Sequence, residues 1–172
     1  MFVCLFVWGW YFVLLEMESN AIGQSFMHSV NLVFHEAGHV IFRLFGHFMM
    51  VLGGSLMQIL VPLVVAWTFL FRQHDNFGAS VGLWWTGQSM MDIAPYINDA
   101  RARQLPLLGG GDGRDRPWMH DWYNILSDLH MLRSDHALAS FVDTLGETLV
   151  LLSLAWAGYL LWQQFRCLYL QG

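Results

Sequence analysis

Residues 50–71, MVLGGSLMQILVPLVVAWTFLF, run without one charged side chain. A bilayer's hydrocarbon core, about 30 Å thick, is crossed by roughly 20 helical residues, so this stretch is long enough to span a membrane. Stretches 1–15, 22–46, 79–98 and 142–165 come close to the same length and character. Together they predict an all-α, polytopic integral membrane protein: one domain over 1–172 with about five transmembrane helices. Composition agrees, since 56% of the chain is hydrophobic and only 12% charged, about half the roughly 25% charge of a soluble domain. Lipid is the expected solvent for much of its surface.

Boundaries follow from local signals. Residues 1–15 lack the positive n-region and small-residue cleavage site of a signal peptide, and read as a membrane helix. For the helix over 22–46, Ser19 or Asn20 is the expected N-cap. Pro62 is expected to kink the third span. The fourth, 79–98, is less hydrophobic and holds Asp92 and Pro95. From 99 to 140 the chain turns charged and Gly-rich, with GGGDG at 109–113 and an amphipathic pattern in WYNILSDLHML. This is the expected extramembrane loop.

The chain has no lysine, and five of its eight arginines fall between Arg101 and Arg133. A net charge of −5 leaves no nucleic-acid footprint. Five crossings put Arg43 and the loop's five arginines on the N-terminal side, and Arg72 and Arg166 on the other. The positive-inside rule then predicts a cytoplasmic N-terminus and a cytoplasmic 99–140 loop. Cys4 and Cys167 show no CxxC spacing and do not indicate a compartment.

Within the second span lies HEAGH, residues 35–39. On a helix His35 and His39 share a face, so both imidazoles can reach one ion while Glu36 lies beside its open coordination position. The chemistry needs these types: neutral imidazoles hold Zn2+, zinc acidifies a bound water toward about 7, and a carboxylate accepts that water's proton. Chance placement of eight His and four Glu gives this motif in about one such chain in a hundred. Ionisable groups inside a membrane helix are costly, about 2.5–3.5 kcal/mol each at the centre, and mark function by default. Metal binding is therefore the favoured reading over a satisfied polar cluster.

HEAGH in a membrane helix, a glycine-bearing helix next and an aspartate in a later span resemble the site-2 protease family of intramembrane zinc metalloproteases, over roughly 22–98. The resemblance implies zinc on His35, His39 and an aspartate, with Glu36 as catalytic base and a membrane protein or peptide as substrate. Asp92 lies at the same depth as the histidines, about 10 Å against 13 Å from the helix ends at 1.5 Å per residue, and is the expected third ligand. The family has glycine after this aspartate where Ile93 stands here, which keeps Asp99, His120 and Asp121 open as ligands. Gly54, Ser55 and Gln58 on the third span are the expected substrate contacts, pairing with an extended peptide as the family's middle helix does; helix packing is the competing role for small residues there. His28, seven residues before His35, reads as a supporting group. The main alternative is a non-catalytic metal-binding scaffold or transporter, in which Glu36 is a ligand or proton relay. A histidine-bound iron oxidase would need more histidine clusters than this single pair.

Overall fold

The computed structural model describes residues 1–170, with side chains described through Leu168. Its α-helices are α1 (Phe2–Val13), α2 (Phe26–Phe42), α3 (His47–Trp67), α4 (Asn76–Asn98), α5 (Asp121–Asp128) and α6 (Asp135–Leu170). The all-α expectation holds among the described residues, where the only extended pairing is an isolated bridge between Pro106 and Asp112. Two helical segments are long and apolar enough to cross a membrane, His47–Arg72 and Leu132–Leu168. The α1 helix is apolar but only 12 residues long, and α2 has 17; α4 has 23 residues but much polar content.

Two boundaries differ from the sequence reading, each for a local reason. The helix carrying HEAGH starts at Phe26, capped by Ser25, whose hydroxyl accepts the His28 N–H at 3.1 Å. Ser19 instead donates its hydroxyl to the Glu16 carbonyl, and Asn20 sits at φ 49°, a left-handed conformation unsuited to an N-cap. The last helix begins at Asp135 rather than near 142, because Asp135 takes the His136 N–H at 2.8 Å and the Arg101 guanidinium at 2.7 Å. The α3 helix contains Pro62 and ends in a wider turn over Thr68–Arg72.

The α4 helix is the central element, buried along most of its length from Ala79 to Ile97. It packs along α6 where Gly87 and Gly146 face each other; a Cβ on either would lie 2.6 Å from the other's carbonyl oxygen. The α2 and α3 helices cross at Gly38 and Gly53 with backbones in contact, so that a side chain at Gly38 would collide with the Gly53 carbonyl. At both crossings glycine lets the two helix backbones come into contact.

The interior is unusually polar. Asn31, Gln58, Gln88, Ser89 and Asp92 are all buried, while Phe6, Val33, Val40, Val64, Trp67, Leu152 and Trp162 lie on the outside. One end of the apolar core joins Phe12 and Ile22 to Trp84, Met91, Val150 and Leu154.

Candidate metal centre

His35 and His39 lie one turn apart on the buried side of α2, their rings 4.9 Å apart and nearly perpendicular. Two contacts orient them. Gln58 Oε1 on α3 is 3.1 Å from His35 Nδ1, and the Met50 carbonyl is 2.8 Å from His39 Nδ1. The Nε2 atoms point together at Asp121 Oδ2, at 3.0 Å from His35 and 3.3 Å from His39. The three ligand atoms lie within 4.8 Å of one another. A tetrahedral ion with ligand bonds near 2.0–2.2 Å holds its ligand atoms about 3.3–3.6 Å apart, so this donor set is compact enough for one.

Asp121 replaces Asp92 as the third member of the group. Asp92 on α4 takes the His28 Nδ1 at 2.9 Å through one oxygen, and the side-chain amides of Asn31 and Gln58, at 3.0 and 2.9 Å, through the other. All its near partners are thus donors. Both oxygens are occupied one step behind the histidines, and equal depth does not bring Asp92 to them.

The other two open ligands, Asp99 and His120, pair with each other instead and build the scaffold that delivers Asp121. Buried His120 caps α5, its Nδ1 accepting the Tyr123 N–H at 3.2 Å, which leaves its Nε2–H to donate to Asp99 Oδ2 at 3.3 Å. Asp99 also accepts the N–H groups of Gln104 and Leu105, at 2.9 and 2.8 Å, and so clasps the start of the loop. The Asp121 N–H donates to Tyr96 Oη at 2.9 Å. Trp122 Nε1 donates to Ser55 Oγ at 3.1 Å and docks α5 on α3.

The three residues expected to contact substrate are buried. Ser55 is tied to Trp122, and Gln58 to His35 and Asp92. Gly54 leaves the room that the imidazoles occupy, since a Cβ there would lie 2.6 Å from His35 Nε2. The cavity holds Glu36, which is exposed within it, with His35, His39, Tyr96 and Asp121 on its wall and the segment Leu105–Gly109 across it; its volume is about 730 Å³.

Burial pushes the Asp121 carboxyl up, but its contacts with His35 and His39 outweigh that and hold it below the usual range. Asp99 behaves similarly: burial raises it, and His120 with the Gln104 and Leu105 N–H groups more than offsets the rise. Its folded pKa is therefore below its unfolded value, so the clasp stabilises fully above about pH 4, the unfolded value, and is lost as pH falls through the lower folded value. Amide exchange at Gln104 and Leu105, corrected for intrinsic rates, should accelerate only in that acidic window. Asp99→Asn should accelerate it about tenfold at neutral pH, the loss of one charge-assisted hydrogen bond. Equal protection in variant and wild type would show that Asp99 does not hold the loop.

No family model, curated protein or solved structure matches this chain. What the site does is therefore argued from its geometry and chemistry.

Proposed function

We propose that the protein is a membrane-embedded zinc-dependent endopeptidase that hydrolyses peptide bonds within or next to the bilayer. One observation carries the reading: three possible ligand atoms, Nε2 of His35, Nε2 of His39 and a carboxylate oxygen of Asp121, converge on one point. Nδ1 of each histidine faces an oxygen acceptor, so a neutral ring that keeps its hydrogen there turns its Nε2 lone pair toward the Asp121 carboxylate. A cation at the centre satisfies such a convergence. Two added protons would set two imidazolium rings 4.9 Å apart around one carboxylate, whereas a single cation satisfies all three atoms. Two imidazoles and one carboxylate are a donor set suited to zinc.

Zinc, when bound, supplies a Lewis acid and a water acidified toward neutrality. The chain's own groups do the rest. Glu36 stands in the cavity next to His35 in sequence and takes a proton from the attacking water, then delivers it to the departing amine. Tyr96 and the α5 start hold Asp121 in place. Leu32, Ile93 and Leu107 give the cavity an apolar wall that suits a hydrophobic peptide.

The outward apolar faces and polar interior support a lipid surround. The arginine distribution supports a cytoplasmic N-terminus and 99–140 loop. In a Cys4→Ser chain, an impermeant thiol reagent should reach Gly111→Cys from the cytoplasmic side and native Cys167 from the other. Labelling of both from one side would refute the arrangement.

Elemental analysis of the detergent-purified chain tests the site itself. Near one zinc per chain is expected, lost in His35→Ala and in Asp121→Ala but retained in Asp99→Asn. Wild-type zinc in both alanine variants would remove the proposal. A non-catalytic metal scaffold would bind zinc identically and cleave no membrane peptide.

A further inference from the structure

Resting on the metal reading above, we infer that a buried relay of Trp85, Asn31, Asp92 and Gln58 fixes the His35 ring as its Nδ1–H tautomer, and that Asp92 is a positioning residue for the metal site. The chain of hydrogen bonds starts at a group that can only donate. Trp85 Nε1 is a donor only, and it lies 2.9 Å from Asn31 Oδ1. That fixes the Asn31 amide, with Ser89 Oγ as a second donor to the same oxygen at 3.2 Å. The Asn31 Nδ2 must then face the other way, where it donates to Gln88 Oε1 at 2.8 Å and to Asp92 Oδ2 at 3.0 Å.

The Gln58 amide nitrogen donates to that same Asp92 Oδ2 at 2.9 Å. The remaining Gln58 atom, Oε1, faces His35 Nδ1. An oxygen there demands Nδ1–H, which leaves the lone pair on Nε2, aimed at Asp121. A flipped Gln58 would set an N–H against Nδ1 and favour the opposite tautomer, whose Nε2–H cannot bind a cation. The two ligands differ here: His39 gets the same orientation from the Met50 backbone carbonyl, which no side-chain substitution removes. For His35 it depends on side chains, and Asp92 acts through Gln58. Groups that orient ligating imidazoles in this way are worth about 10–100-fold in metal affinity.

The experiment uses the full chain in detergent with ¹⁵N-labelled histidine, metal-free and followed over a pH series. His35 is assigned by its absence in His35→Ala, and zinc affinity is measured by chelator competition on the same variants. In wild type His35 should read as Nδ1–H. In Gln58→Met it should shift toward Nε2–H, with zinc affinity down about 10–100-fold. Asp92→Leu, which offers Gln58 no acceptor, should shift His35 as Gln58→Met does, with zinc affinity down about 10–100-fold, whereas Asp92→Asn should keep the tautomer and bind zinc far above the level of His39→Ala. The amide oxygen of Asp92→Asn can accept from both Asn31 and Gln58 while its NH₂ donates to His28, so every buried partner stays satisfied and the fold is spared.

An unchanged His35 tautomer in Gln58→Met or in Asp92→Leu overturns the relay, whether or not zinc binds. Loss of zinc in Asp92→Asn to the extent seen in His39→Ala overturns it too, because Asp92 would then be a ligand. If wild type binds no zinc while His35 responds as stated, the relay stands and the peptidase reading falls.

Discussion

Glu36→Gln should retain one zinc per chain and lose hydrolysis of a membrane-peptide substrate by about 10²–10⁴-fold, the range for removing a positioned general base. The amide keeps the shape of the side chain, and Glu36 belongs to the cavity wall rather than to the converging ligand set of His35, His39 and Asp121. Metal content should therefore be unaffected. What the variant loses is the capacity to accept a proton from water, which no other carboxylate replaces without leaving its partners: Asp92 is held by three donors, and Asp99 by His120 and two backbone N–H groups. Activity should fall with zinc affinity unchanged, separating the base from the ligands, whose removal costs both. Cleavage by Glu36→Gln at the wild-type rate would exclude Glu36 as the base, and with it the mechanism given above.

The helices were legible where hydropathy carries the signal. The uncharged run 50–71 lies largely on α3, and 79–98 lies within α4. The motif was legible because His35, Glu36 and His39 are neighbours on one helix, where spacing alone fixes geometry. Asp121 was not selected, for a physical reason. Depth along a span is a one-dimensional coordinate, and it placed Asp92 level with the histidines while assigning the loop to the surface. The loop folds back, through the Asp99–His120 clasp and the Trp122–Ser55 bond, both contacts between residues distant in sequence. A signal was nevertheless present in MHDWYNIL, where a histidine able to cap a helix stands before an aspartate and an apolar face begins. Ser19 and Asn20 failed as caps for a related reason: both are good capping types, but the turn Met17–Ser19 uses the first and twists the second into a left-handed conformation.

Gly54→Ala should cost at least about tenfold in zinc affinity while leaving the metal-free chain folded. Gly54 lies inside α3, in a helical segment where alanine is favoured over glycine by about 1 kcal/mol. Backbone propensity therefore predicts a gain. The side chain decides otherwise, because a Cβ at this position would lie 2.6 Å from His35 Nε2 and 2.8 Å from both His35 Cδ2 and His39 Cε1. Those are the ring edges that face the ion. The neighbouring atoms are side-chain atoms of α2, so the rings can swing aside and the helices can keep their crossing at Gly38 and Gly53. Turning the rings moves both Nε2 atoms off the point they share with Asp121, and ligand placement errors of a few tenths of an ångström are what metal sites tolerate least. The test pairs a cooperative melting transition of metal-free Gly54→Ala, which shows that it is folded, with weakened zinc binding in chelator competition. Undiminished zinc affinity in a folded Gly54→Ala chain would mean that the imidazole edges do not lie against α3, and that the converging atoms of His35, His39 and Asp121 are not the metal site.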